Sequence, residues 1–183
     1  MEELALHILD LAENSIAAGA RRVRIAVRQS TARDTLSIEI ADNGPGMDAE
    51  MLRKAADPFF TTRTTRRVGL GLSLFEQAAR AAGGEFRLES SPGAGTTVSG
   101  TFRNSHPDRQ PLGDIASTLL ALVTGSPQVE FEYMQQTDDF EVVFRSRDIL
   151  DRLGAEPVNS PRGIAMVRKF LRKLSEANRA VHC

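Results

Sequence analysis

The sequence has a single cysteine, Cys183, and it is the last of 183 residues. No internal disulfide and no cysteine metal cluster can form, so a reducing compartment is the expectation. An excess of one charge is also missing, because 23 Lys and Arg face 24 Asp and Glu for a net charge of −1. That balance gives no global reason to expect nucleic acid or an anionic membrane as partner, and any electrostatics that matter must be local. Long hydrophobic runs are absent from the N-terminus: MEELALHILD carries early acids and no extended apolar core, so neither a signal peptide nor a membrane span is expected there. A cytoplasmic protein is the expectation. Internal repeats and low-complexity tracts are lacking too, and the length suits one ordinary domain or one and a half smaller ones.

What is present is a clear alternation of helical and extended patterns. Residues 3–18, ELALHILDLAENSIAA, are good helix formers stopped by Gly19. RRVRIAV sets Val23, Ile25 and Val27 against Arg22, Arg24 and Ala26, and TLSIEIAD sets Leu36, Ile38 and Ile40 against Ser37, Glu39 and Ala41. Both are half-buried strands. Asp48 is placed to cap a short helix to about Ala56, and Leu72, Phe75, Ala79 and Ala82 mark another helix ending at Gly83-Gly84. EFRLES and TTVSGTF read as strands joined by the turn Pro92-Gly93-Ala94-Gly95.

NSHPDRQP, residues 104–111, has the composition of a linker. The division expected is therefore 1–103, a linker at 104–111, and a smaller unit over 112–183. In that unit a helical stripe runs through Leu112, Ile115, Ala116, Leu119, Leu120 and Val123, followed by a hairpin with Val129, Phe131, Tyr133 and then Phe140, Val142, Phe144. A short helix around Ile149–Leu153 follows. The last helix has Ser160 as N-cap, Pro161 in its first turn and a stripe of Ile164, Val167, Leu171 and Leu174. About seventy residues make a small core, so this αββαα unit is expected to lean on the first. Its basic residues Arg168, Lys169, Arg172 and Lys173 read as a solvated face rather than a nucleic-acid site.

Chemistry concentrates in three stretches. In DNGPGM, residues 42–47, Asp42 shares side-chain parity with Leu36, Ile38 and Ile40 and so points toward the core. A buried carboxylate needs donors, and a ligand amino group is a candidate if the protein supplies none. Gly44 and Gly46 let backbone approach a flat ligand, with Pro45 stiffening the turn. A tight turn whose Asp caps local amides explains the same residues. In DPFFTTRTTRRVGLGLSLF, Arg63, Arg66 and Arg67 stand with no acid between Asp57 and Glu76, and Gly69 and Gly71 open a helix. Backbone N–H groups at a helix N-terminus and mobile arginines suit a polyphosphate, although a solvated basic loop fits as well. The stretch is neither a Walker A loop nor a dinucleotide-binding fingerprint. On the first helix, His7, Asp10 and Asn14 are spaced i, i+3, i+7 and share one face, where Asp and Asn oxygens could meet Mg²⁺. A lone His beside an Asp is more often a hydrogen-bonded neighbour than a catalyst.

Taken in chain order, these pieces resemble the GHKL superfamily of ATP-binding proteins, which includes sensor histidine kinases, gyrase B subunits, ninety-kilodalton heat-shock chaperones and MutL mismatch-repair ATPases. LDLAENSIAAGA is similar to the N box, DNGPGM to the G1 box, DPFFTTR to the F box, and VGLGLSLF with PGAGTTVSGTF to the boxes that follow. The resemblance covers residues 3 to about 103. It implies an α+β fold of the Bergerat type, a mixed and largely antiparallel sheet covered by helices on one face. By the same resemblance Asn14 would hold Mg²⁺, Asp42 would accept from the adenine amine, Gly46 would line the base with Gly44 and Met47 beside it, and Thr96 would reach adenine through water. Arg63, Arg66, Arg67, Gly69, Leu70, Gly71 and Leu72 would surround the phosphates. In the ATPase branches a glutamate four residues before the N-box asparagine activates the attacking water, and here that position is Asp10. Its side chain is one methylene shorter, placing the carboxylate on the order of 1.5 Å further from such a water, a misplacement that costs about a hundredfold.

Three activities follow as expectations. One is a kinase acting in trans on a separate protein substrate, because no phosphoacceptor helix pair is recognised and His7, His106 and His182 lack that context. The second is an ATP-driven switch of a regulated partner or of a second copy of the chain, as a homodimer. The third is a sensor of ATP or ADP with negligible turnover. No nucleic acid and no membrane is expected as partner.

Overall fold

The computed structural model describes residues 3–55 and 70–180, with side chains for 3–55 and 71–172. The first helix, α1 (Leu4–Ala17), buries Leu4, Ala5, Ile8, Leu11 and Ala12 on one side and ends where Gly19 takes a φ of +90°. Strands β1 (Arg22–Ser30) and β2 (Thr35–Asp42) pair antiparallel, with Ile25 opposite Ile40 and Val27 opposite Ile38. Helix α2 (Ala49–Ala55) is capped as expected: the Met51 amide donates to Asp48 Oδ1 at 2.8 Å. Helix α3 (Leu70–Ala81) leads through Gly83, at a φ of +70°, into β3 (Phe86–Ser91) and β4 (Gly95–Arg103).

The second half supplies α4 (Ile115–Gly125), β5 (Glu130–Gln136), β6 (Glu141–Arg145), α5 (Ser146–Leu153) and α6 (Pro161–Ala180), the αββαα order read from the sequence. Helix α4 starts later than the stripe from Leu112 suggests. Gly113 takes a φ of +80° and Asp114 caps the helix by accepting from the Ser117 amide, so Leu112 is buried ahead of the helix rather than in it. Ser160 caps α6 through the Gly163 amide at 3.0 Å. Arg168, Lys169 and Arg172 are exposed, while the Lys173 and Leu174 side chains lie outside the described residues.

All strands among the described residues join one sheet of six in the order β3-β4-β2-β1-β5-β6. Neighbours are antiparallel except β1 and β5, which run parallel with Ile25 beside Tyr133. The sheet is therefore mixed and mostly antiparallel, as the fold class anticipated. Val23, Ile25 and Val27 of β1, Leu36, Ile38 and Ile40 of β2, and Phe131 and Tyr133 of β5 are buried on the helix-covered face, whereas Arg22, Arg24 and Arg28 are exposed on the other. The elements from Leu112 to Leu171 thus extend the sheet begun by the first hundred residues and share its core.

Two features fix the helices over that sheet. Phe75 of α3 is fully buried, with its ring 5.8 Å from Phe102 and 6.2 Å from Phe86, and Gly100 of β4 leaves it room: a Cβ there would stand 2.7 Å from Phe75 Cζ. At the start of α1, amides without intrahelical partners donate to the carbonyls of Pro111 and Leu112, at 2.9 Å each. The 104–111 stretch is consequently strapped to α1 by its end.

Candidate functional site

Asp42 is the last residue of β2 and lies opposite Thr96 of β4 on the helix-covered face. Strand parity did place it inward. Its carboxylate already has donors within the protein: Oδ1 accepts from the amides of Gly44 at 2.8 Å and Thr96 at 3.2 Å, and Oδ2 accepts from the Ser15 hydroxyl at 2.7 Å. A carboxylate offers about four acceptor positions. Three are filled among the described residues, and the fourth lies on Oδ2 in a half-buried position. The turn that caps its own amides is therefore present, and one acceptor position of the carboxylate has no donor among the described residues.

The turn beyond Asp42 is fastened on both sides. Asn43 Oδ1 accepts from the amides of Arg21 and Arg22 at 2.9 and 2.7 Å, tying the end of β2 to the start of β1. The Pro45 carbonyl accepts from the Gly93 amide at 2.7 Å, and Ser90 Oγ accepts from the Met47 amide at 2.9 Å. Gly46 has a φ of +69°, and a Cβ on it would stand 1.9 Å from the Ser91 carbonyl oxygen; Gly95, at +81°, meets the Asp42 carbonyl oxygen at the same distance. Both positions admit only glycine, because one turn is pressed against the other. Close packing of the protein on itself thus already requires glycine at 46.

Asp10 and Asn14, one turn apart on α1, are half-buried and face the start of α3. A Cβ on Gly71 would lie 3.5 Å from Asn14 Nδ2 and 3.8 Å from Asp10 Oδ2. Leu72 is half-buried one residue on. The structure therefore brings together Asp10, Asn14 and Gly71, and separately Asp42, Gly44, Gly46, Met47 and Thr96. Ser15 joins the two groups, since it follows Asn14 on α1 and bonds Asp42. Arg63, Arg66, Arg67 and Gly69 lie outside the described residues, as does the Leu70 side chain. Among the described residues no group of three His, Cys, Asp or Glu side chains could hold a metal.

His7 parts from its sequence neighbours. It is 1% exposed, packed 5.8 Å from the Phe75 ring, and its Nε2 meets Gln110 Oε1 at 3.0 Å while Nδ1 has no partner among the described residues. Burial holds its pKa below the ordinary 6.5. Of the face shared by His7, Asp10 and Asn14, only the His7 end is covered, by the 110–112 strap that bonds Leu4, Ala5 and His7.

The family model described as "Histidine kinase-, DNA gyrase B-, and HSP90-like ATPase" matches residues 2–106, more than half of the chain. The chain belongs to that family. Among curated GHKL relatives, the sensor protein kinase FleS of Pseudomonas aeruginosa is 44% identical over 89 residues, 49% of this chain and 22% of that protein. The signal transduction histidine-protein kinase AtoS of Escherichia coli is 39% identical over 98 residues, 53% of this chain and 16% of AtoS. The chain thus matches less than a quarter of either kinase's length. The Aquifex aeolicus MutL ATPase domain, solved with ADP, shares the GHKL fold with a TM-score of 0.52 at 17% identity, over 74% of this chain and 60% of that one.

Three residues of this GHKL domain escaped the sequence reading: Ser15, Asn43 and Ser90. Ser90 had a legible signal, for it shares parity with Phe86 and Leu88 on β3, the argument that located Asp42. Ser15 and Asn43 did not, since their roles depend on which strand end lies beside them. No helix among the described residues is long and apolar enough to cross a membrane.

Proposed function

We propose that this GHKL protein binds Mg-ATP between β2, β4 and α1 and uses it to act on a separate protein, either as a kinase in trans or as an ATPase switch. The observation that carries the reading is Asp42, a carboxylate fixed by three protein donors with one acceptor position left on Oδ2. An exocyclic amine matches that position and a carbonyl does not. Asp42 would bind the adenine amine, Gly44, Gly46 and Met47 would line the base, and Thr96 would reach it through water.

Mg²⁺ fits the Asn14 amide, whose side chain makes no hydrogen bond to the described residues: its Nδ2 lies toward Gly71, and its Oδ1 would be the hard oxygen that Mg²⁺ takes. Bound there with phosphate oxygens, it would neutralise their charge. Gly69, Leu70, Gly71, Leu72 and the arginines at 63, 66 and 67 would hold the phosphates at the start of α3. Asp10, in reach of the same helix start, would orient and deprotonate the attacking group. His7 cannot receive a phosphoryl group from its place in the core.

A second reading, a sensor of ATP or ADP with negligible turnover, is favoured by Asp10 itself, whose shorter side chain stands where ATPase branches carry glutamate. Incubation with γ-labelled ATP and candidate partners separates these outcomes. Label on a partner indicates a kinase, released phosphate a switch, and neither, despite saturable binding, a sensor. A calorimetric titration with no ATP binding, with or without Mg²⁺, would refute the proposal altogether.

A further inference from the structure

Resting on the nucleotide reading above, we infer that Ser90 is a specificity-determining residue: it fixes the direction of the Thr96 hydroxyl proton and so makes the base pocket select a 6-amino purine over a 6-oxo purine. The argument is an account of protons. Ser90 Oγ lies 2.8 Å from the Gly95 carbonyl oxygen, 2.9 Å from the Met47 amide nitrogen and 2.9 Å from Thr96 Oγ1. A hydroxyl has one proton to give and two lone pairs to receive. The Gly95 carbonyl can only accept, so the Ser90 proton goes there, and the Met47 amide fills one lone pair. The contact with Thr96 then requires Thr96 to be the donor.

Thr96 is the register partner of Asp42 on the same face of the sheet, and its own amide donates to Asp42 Oδ1. With its hydroxyl proton turned toward Ser90, Thr96 Oγ1 presents only acceptor lone pairs to whatever lies beside Asp42. The carboxylate is an acceptor as well, and the Ser15 proton is directed to its Oδ2 at 2.7 Å rather than to the Leu11 carbonyl at 3.4 Å. The pocket floor thus lacks a side-chain proton to offer. A 6-amino group, or a water whose second proton meets the purine N1, satisfies these acceptors, whereas a 6-oxo group opposes one acceptor with another. Ser90 touches no base. It acts through Thr96, as a positioning residue.

The test measures a ratio. Dissociation constants for ATP and for inosine triphosphate, the 6-oxo analogue, are measured by calorimetry on the full chain, the Ser90→Ala and Ser90→Thr variants, and Thr96→Val. Ser90→Ala releases the Thr96 proton to turn toward the ligand, and the preference for ATP should fall about tenfold, the scale of one unmatched buried acceptor. Ser90→Thr keeps the hydroxyl and should keep the preference. Equal weakening of both nucleotides by Ser90→Ala would show a merely structural role and overturn the inference. Should Ser90→Ala fail to fold, Thr96→Val decides alone: loss confined to ATP supports an acceptor-only Thr96, and equal loss for both nucleotides refutes it. A wild-type chain that binds neither nucleotide would instead sink the site reading on which this inference stands.

Discussion

Asp42→Asn tests the base pocket with the least disturbance to the fold. The change preserves volume, and the amide oxygen can remain at the Oδ1 position to accept from Gly44 and Thr96. The amide nitrogen then replaces Oδ2. Ser15 adapts at little cost, because its hydroxyl can accept from that nitrogen and give its proton to the Leu11 carbonyl, now 3.4 Å away. The protein network survives, and the melting temperature should move by only a few degrees, on the order of 1 kcal/mol. Binding fares differently. A ligand amine that met a carboxylate meets an N–H, so a charge-assisted hydrogen bond worth about 1.5–3 kcal/mol is lost and two donors are left facing each other at a further cost of about 1–3 kcal/mol. Even the sum of the lower bounds, about 2.5 kcal/mol, raises Kd about seventyfold. Isothermal calorimetry with Mg-ATP measures it directly. A variant that folds normally and binds ATP within about threefold of wild type would refute the assignment of Asp42 to the base.

The remaining predictions concern the reaction, the turns and pH. Asp10→Ala should leave ATP affinity nearly unchanged and stop any phosphate release, while Asp10→Glu should raise release by on the order of tenfold or more, as the carboxylate regains reach; a colorimetric phosphate assay checks both, and undiminished release from Asp10→Ala excludes it as base. Gly46→Ala forces a Cβ to within 1.9 Å of the Ser91 oxygen at a φ of +69°, and should destabilise the fold by about 2–4 kcal/mol in urea titrations. His7 is held neutral by burial, with a folded pKa below 6.5. Its contribution is therefore present above pH 6.5 and is lost as pH falls through the lower folded value, because the unfolded chain binds the proton first. His7→Gln should flatten that acid-side decline in chemical denaturation at pH 7.5 and 5, and an unchanged slope would show that His7 is not its source.

Much of the fold was legible because its elements announce themselves locally. Alternation fixed the two strands before DNGPGM, and β2 runs over Thr35–Asp42, the stretch TLSIEIAD. Of the stripe Leu72, Phe75, Ala79 and Ala82, the last three are fully buried and Leu72 is half-buried, with Ala82 just beyond the end of α3. Where the reading drifted, a backbone detail was responsible, as at Leu112, whose apolar side chain continues a helical period that the positive φ of Gly113 interrupts. His7 shows the other limit. Helical spacing put it on the face of Asp10 and Asn14, but spacing does not record the strap of residues 110–112 that covers that end of the helix.

The site divides in the same way. From sequence came the inward direction of Asp42, the polar pair Asp10 and Asn14, and the glycines, because period and residue chemistry are properties of a few consecutive positions. Only the tertiary structure set Thr96 across from Asp42, Ser15 against its second oxygen and Gly71 over Asn14, and only it ran β5 parallel to β1. Those pairings join residues tens of positions apart. Their register follows from packing the whole sheet beneath its helices, and local pattern carries no record of it.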